Sequence, residues 1–334
     1  MMPDIANHSP SPIHTLYLAP IRGVTDAVFR DAFNLCFPGL DGSVAPFVKT
    51  TGAILKPQRL HDLTFAPHCT LPVVPQLLSN NATGFINAAD QLQQLGFTEI
   101  NWNLGCPIPT STKKNLGAGL LCDPDRIDSF LETVFSKVTI AISIKTRIGL
   151  IQETEINTLL PVFNRYPISN IIVHPRTAGQ LYSGPVNLNV FEYCIAELSA
   201  PVTYNGDITG VADFDRLSRR FPSVRQWMIG RGVIADPLLP AKIKTGCIEA
   251  FISCNQLRSF HRRLTDGYMA RLSGFSHMLS RMSAIWESLG AGLPVPPGAV
   301  RKLVKSKTPE EYGLHFEHLM EKLAKYHANE KSAI

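Results

Sequence analysis

Six places in this 334-residue chain put a polar or ionisable side chain at or near the end of a short apolar run. Gln76 closes LPVVPQL, Asn103 and Cys106 close the run that begins EINW, and Lys145 stands near the end of IAISIKT. His174 and Arg176 end NIIVHPR, Asn205-Gly206-Asp207 follow APVTY, and Gly230-Arg231 follow RQWMI. A polar group in an otherwise apolar strand is destabilising unless it finds a partner. Taken singly, each has an ordinary structural explanation. Lys145 could pair with a carboxylate, His174 could be a satisfied core histidine, and Gly230 could relieve crowding. Their recurrence at one kind of position argues instead for a shared polar ligand, because function lives in constellations of residues.

The residue types indicate the ligand. Asn205-Gly206-Asp207 and Gly230-Arg231-Gly232 supply small residues that permit close backbone approach, and Arg231 offers a guanidinium suited to phosphate oxygens. Turns of this kind, often beside a short helix N-terminus, hold phosphate with backbone N–H groups. Lys145 could set its charge beside the N1/C2=O edge of an isoalloxazine ring, where reduction builds negative charge. His174 suits either that edge or the phosphate end. The set fits FMN, a flavin carrying one phosphate. No GxGxxG turn follows a strand and opens a helix, which disfavours a resident dinucleotide in a Rossmann unit, although a nicotinamide could still deliver electrons transiently.

Eight apolar runs carry these residues: 14–20, 42–48, 71–77, 99–105, 140–146, 170–176, 200–206 and 225–231. Their near-continuous apolar character is what parallel strands buried on both faces require. Helix-like stretches lie between several of them, including 83–96 and 123–136. In the second, Asp123 is the expected N-cap and Pro124 the first helical residue. Eight such units over about 230 residues match a closed (β/α)₈ TIM barrel, with chemistry at the C-terminal strand ends. A doubly wound open sheet is the alternative. Past residue 245 the pattern changes to helices expected over 255–272, 275–289 and 309–328, with a Gly/Pro-rich connection at 290–300. The expected organisation is an N-terminal extension (1–13), a barrel (14–244) and a small helical domain (245–334).

Composition narrows the setting. Seven scattered cysteines, odd in number and never in a CxxC pair, point away from a disulfide framework or a structural metal site and toward a reducing cytoplasm. No apolar run is long enough for a membrane span, and the N-terminal residues lack the features of a secretory signal. Residues 1–241 hold 18 Lys/Arg against 19 Asp/Glu, whereas residues 242–334 hold 14 against 8. The basic surplus therefore sits in the helical tail and suits a polyanionic partner, although a solvated basic surface would look the same.

Several segments, in order, resemble the tRNA-dihydrouridine synthases: LAPIRGVTDAVFR (18–30), PQLL (75–78), NWNLGCPIPT (101–110) with GAGLLCDP (117–124), IKTRIG (144–149), VHPRTAGQLYSG (173–184), YNGDI (204–208) and MIGRG (228–232). The resemblance covers roughly residues 14–240, and the Asn-x-Gly-Cys-Pro segment is its most specific part. It implies a barrel with a helical tRNA-binding domain, bound FMN, NADPH as electron source, and reduction of the C5–C6 bond of a uridine in tRNA. It makes Cys106 the proton donor. Ala19, Pro20, Ile21, Gln76, Lys145, His174, Asn205, Gly206, Asp207, Gly230 and Arg231 become flavin contacts, and Asn103 and Tyr182 RNA contacts. Ile108, Pro175, Thr146 and Arg22 depart from the family's frequent residues, which leaves the subfamily and the modified uridine open.

A thiol of ordinary pKa, ~8.5, is mostly protonated at neutral pH and can act as an acid. No histidine adjoins Cys106 in sequence, which agrees with an acid rather than an activated nucleophile. Cys122 is expected to be packing. A uracil in folded RNA must be extruded to reach a buried flavin, with stacking on Tyr182 and edge contacts from Asn103. Arg262, Arg263, Arg271 and Arg281 in the tail, and Arg176 at the barrel rim, are the expected phosphate contacts. A monomer acting on tRNA is the expected form. Two rival readings remain at this point: an FMN barrel that reduces a small molecule of the dihydroorotate or enoate type, and a barrel that binds tRNA without turnover.

Overall fold

The computed structural model describes residues 14–50, 55–64 and 71–332. The extension expected over residues 1–13 lies outside the described residues. All the strands of one sheet run parallel. They are β1 (Thr15–Leu18), β2 (Gly42–Val44, resumed at Val48–Lys49), β3 (Val73–Val74, resumed at Gln76–Leu78), β4 (Glu99–Leu104), β5 (Ala141–Gly149), β6 (Ile171–Thr177), β7 (Val202–Tyr204) and β8 (Gln226–Ile229). The breaks in β2 and β3 fall at Pro46 and Pro75, which have no N–H to give a ladder.

Both halves of β3 pair with the matching half of β2, through Val44↔Val74 and Val48↔Leu77. Neighbour then follows neighbour from β3 to β8, and β8 returns to β1 through Leu18↔Ile229. Pairing thus runs round all eight strands, as the eight apolar runs predict.

The helices between strands also follow the sequence. Asp123 caps the helix Pro124–Phe135 by accepting from the N–H of Arg126, and Asn81 caps Ala82–Gln94. Their apolar stripes pack on the outer faces of the strands. There Trp102 stacks on Phe130 with ring centroids 4.1 Å apart. The barrel interior is different. Ala19, Val44, Ile172 and Met228 form a small apolar layer of their own, and much of the remaining inner face is polar.

Past the barrel come the helices Cys254–Arg271, Phe275–Gly292, Pro297–Val304 and Pro309–Ser332. The Pro297–Val304 helix occupies part of the stretch expected as a Gly/Pro-rich connection, with Pro297 at its first turn. Ser253 and Gln256 form a reciprocal cap on the first tail helix, which lies against the helix Ala27–Cys36. Phe260 packs edge-on to Phe29 and Phe37 at 5.8 and 5.2 Å. A Cβ on Gly267 would fall 2.6 Å from a methyl of Val28, so glycine is required where the two helices approach. One apolar cluster joins the outer barrel to the tail. No helix among the described residues is long and apolar enough to cross a membrane.

Candidate active site

Cys106 sits in the turn after β4, 7% exposed, beside Leu78 and Leu116. Two devices hold it. The Asn103 side-chain oxygen accepts from the peptide N–H groups of Cys106 (2.8 Å) and Gly105 (3.1 Å). On the other side Gly117, at φ +58°, lets its backbone lie where a Cβ would be 2.8 Å from that of Cys106. Asn103 is itself tied to Gln76 (2.8 Å), Gln76 to Asn101 (2.7 Å), and Asn101 to Ser143 (2.9 Å). These four side chains are buried inside the barrel.

Beside this row, β5 turns Ser143, Lys145 and Arg147 to one face by the period-two rule. Lys145 is partly buried and makes no hydrogen bond or ion pair among the described residues. Burial lowers its pKa to about 7, and the Arg147 cation adds to the shift. Arg147 is 2% exposed; its guanidinium donates to the carbonyls of Gly105 (3.1 Å) and Thr177 (2.7 Å). On β6, His174 receives Arg176 Nη1 at 3.2 Å on its Nε2. A guanidinium can only donate, so Nε2 is the bare nitrogen and Nδ1 carries the hydrogen. Burial, with the cations of Lys145, Arg147, Arg176 and Arg231, drives the His174 pKa far below its ordinary value. The ring is therefore a neutral donor. It is a core histidine with a partner, as its bland explanation requires, yet it retains one N–H for a ligand.

Two glycine turns meet at the C-terminal ends of β7 and β8. A Cβ on Gly206 would fall 2.2 Å from the Tyr204 hydroxyl, and one on Gly232 would fall 2.1 Å from the Ile208 carbonyl oxygen. The peptide N–H groups of Gly206, Asp207, Arg231 and Gly232 find no acceptor among the described residues. Asp207 is bracketed by Arg176 and by Arg231 at 3.0 Å. Asn205 donates to the Met228 carbonyl (2.8 Å), which fixes the spacing of the turns. Across from them Ala19 and Ile21 face Gly230, where a Cβ would lie 3.4 Å from each. Thr25 holds their backbone by accepting from Ile21 N–H (2.8 Å) and donating to the Ala19 carbonyl. Pro20, between them, is partly buried.

The mouth is covered in part by Tyr182, 57% exposed and 6.2 Å from the His174 ring. The guanidinium carbons of Arg147 and Arg231 lie 5.4 and 5.0 Å from its ring centre. Arg176 departs from expectation. It is 2% exposed and spends its guanidinium on Asp207, His174 and the Gly184 carbonyl, so it is an internal brace and not a rim contact. The strand runs on to Thr177, and alternation puts Arg176 on the same inward face as His174.

The four tail arginines also divide. Arg271 and Arg281 line a cleft of about 1050 Å³ between the barrel rim and the tail, with Arg22, Lys49 and His61 and the carboxylates of Asp26 and Asp62. Arg262 and Arg263 are exposed on the same helix as Arg271. At 100° per residue Arg262 points opposite to Arg271, so the structure does not bring the four onto one surface.

Residues 17–294 match the sequence model of the dihydrouridine synthase family. The chain belongs to that family. A tRNA-dihydrouridine(16) synthase of Cupriavidus necator is 29% identical over 238 residues, covering 69% of this chain and 73% of the relative. One of Neisseria meningitidis serogroup B is 26% identical over 253 residues, covering 73% and 75%. Among solved structures, a morphinone reductase variant in complex with tetrahydroNAD superposes with a TM-score of 0.52 at 10% identity, covering 74% of this chain and 90% of that one. The old yellow enzyme homologue of Zymomonas mobilis gives 0.50 at 10% identity, covering 75% and 95%. These likenesses support the barrel fold alone.

As a dihydrouridine synthase the chain is an oxidoreductase, and three residues gain interest that motif reading passed over. Arg147 and Asn101 each lie two residues from a recognised position on an inward face, and Ser143 lies two before Lys145. Period-two counting from Lys145 and Asn103 was the available signal. Gly117 was legible only as part of a motif; its positive φ gives the reason.

Proposed function

We propose that this dihydrouridine synthase acts on tRNA, binds FMN, takes electrons from NADPH and reduces the C5–C6 bond of a uracil base. One observation carries the reading. A thiol held by Asn103 and Gly117 opens onto the same barrel mouth as an amine with no partner and a cradle of unused peptide N–H groups. Those groups suit a flavin monophosphate. In this reading the Gly206–Asp207 and Arg231–Gly232 peptides, with the Arg231 guanidinium, hold the phosphate. Lys145, the Nδ1–H of His174 and the amide of Gln76 would hold its ring, and Ala19, Pro20 and Ile21 would pack against it.

FMN, when bound and reduced, would supply the hydride that C6 of the uracil requires. Cys106 then gives its proton to C5 and regains one from solvent, so that one uracil is reduced and one flavin oxidised. Asn103 has one amide N–H left for a uracil carbonyl. Tyr182 offers its ring to the extruded base. The cationic cleft beside the mouth favours a polyanion over a small molecule, and residues 245–334 serve as the tRNA-binding domain, with residues 14–244 as the catalytic barrel. The names of the Cupriavidus and Neisseria relatives support position 16 as the target. The setting of this chemistry is the cytoplasm.

The test is direct. Purified protein should be yellow, release FMN on denaturation, and, without oxygen, oxidise more than one equivalent of NADPH per flavin only when unmodified tRNA is added. Mapping of the product should put dihydrouridine at position 16. A colourless protein that takes up no FMN, or NADPH oxidation indifferent to tRNA, refutes the reading.

A further inference from the structure

The Cys106 turn ends a directional chain of hydrogen bonds. Peptide N–H groups can only donate, so those of Gly105 and Cys106 require the oxygen of Asn103 to face them. The nitrogen of Asn103 must then donate to Gln76 Oε1. Gln76 Nε2 in turn donates to Asn101 Oδ1, and Asn101 Nδ2 donates to Ser143 Oγ. Only at Ser143 can the direction be absorbed, because a hydroxyl both donates and accepts. The polarity of three amides is thus set by the backbone that carries Cys106. Gln76 and Asn101 are 0% exposed, so no bulk water can replace a partner that Gln76 loses.

We infer that Asn101 is a positioning residue for proton delivery by Cys106: its oxygen locks the Gln76 amide, which locks Asn103, which orients the Cys106 turn. The inference rests on Cys106 as the acid. Asn101 lies one inward layer deeper than Asn103 on β4 and acts through the two amides above it. Remove its oxygen and Gln76 is left with a buried N–H and no acceptor, an unfavourable state relieved only by rotating that amide. Asn103 then loses the fixed partner that keeps its oxygen on the Cys106 peptide.

The experiment compares wild-type, Asn101→Leu, Asn101→Asp and Cys106→Ala holoenzymes in two half-reactions: flavin reduction by NADPH, and reoxidation of pre-reduced flavin by unmodified tRNA. Asn101→Leu should slow reoxidation about 10-fold and reduction by NADPH at most about threefold, the smaller loss coming through the Gln76 amide that faces the flavin. Asn101→Asp keeps the acceptor for Gln76 and takes a hydrogen bond from Ser143, so it should restore reoxidation to within about twofold of wild type. Proportional loss in both half-reactions, equal behaviour of Leu and Asp, or a silent Asn101→Leu overturns the inference. Should Asn101→Leu give no soluble holoenzyme, Ser143→Ala carries the test. It should slow reoxidation alone, about threefold; slowing of both half-reactions, or of neither, overturns the inference. Cys106→Ala separates the two levels. If it reoxidises as fast as wild type, the acid reading falls and the inference with it. If it is slow beside a silent Asn101→Leu, only the inference falls.

Discussion

Replacing Lys145 by Met should make the flavin-free protein more stable, most of all at acidic pH. The folded amine has a pKa of about 7 against 10.5 for the unperturbed group, chiefly through burial. Between those values the unfolded chain holds a proton that the folded chain does not. Stability from this site therefore rises as pH climbs from about 7 toward 10.5. Below about 7 the penalty of burying the cation is present in full. At ~1.36 kcal/mol per pH unit the shift corresponds to about 4–5 kcal/mol. Water at the open barrel mouth screens part of that, which leaves about 2 kcal/mol. Met has a similar unbranched shape and no charge, so it removes the penalty without opening a large cavity. In a chain of this size the gain is about 3 °C in Tm. Thermal melts of flavin-stripped wild type and Lys145→Met at pH 6, 7, 8 and 9.5 measure it. The variant should melt higher at pH 6, with a gap that closes toward pH 9.5, and should bind FMN more weakly at every pH. A gap independent of pH, or a variant less stable at pH 6, would refute the argument that Lys145 is an uncompensated buried cation awaiting a ligand.

Cys106→Ala should retain FMN and its reduction by NADPH yet form dihydrouridine ~10²–10⁴-fold more slowly, as mass analysis of tRNA hydrolysates would show; Cys122, expected from the sequence to be a packing thiol, is instead exposed, and Cys122→Ala should be silent. Gly117→Ala puts a methyl 2.8 Å from Cys106 Cβ at a positive φ. It should lower stability by about 1–3 kcal/mol and slow tRNA-driven flavin reoxidation more than reduction by NADPH, measured by denaturation and stopped-flow absorbance. Arg271→Gln with Arg281→Gln should weaken tRNA binding and flatten the plot of log affinity against log salt by about 0.7–0.9 per lost contact. Arg262→Gln with Arg263→Gln, off the cleft, should change both less, and the reverse ranking in salt titrations would move the RNA path to the outer face of the tail.

The architecture was legible because each level agreed. Apolar runs of strand length, the N-cap at Asp123 and the switch to helical spacing past residue 245 all point to one answer. The site was legible where a polar residue broke an apolar pattern, as Lys145 and His174 do. It was illegible where the polar residue belongs to the pattern. Asn101 and Ser143 alternate with Ile100, Trp102, Ile142 and Ile144, which face the outer helices, so the runs look apolar throughout while one face is not. Arg176 was misplaced for a related reason: a charged residue near a strand end looks like rim until its partner, Asp207, is found on the neighbouring turn. Partnerships across strands are not written in local spacing.

The five-residue helix Arg231–Ala235 is a rung with no slack at either end. Gly232 lies against the Ile208 carbonyl of the neighbouring turn, and Gly292 of the tail lies against the Ala235 carbonyl, each at a distance no side chain could share. Barrel enzymes diversify by lengthening the loops above their strands, since surface connections absorb insertions easily. Here an added residue would shift the Gly230–Arg231 turn and the seat of the tail helix together. This part of the rim is therefore closed to the insertions that elsewhere remodel it.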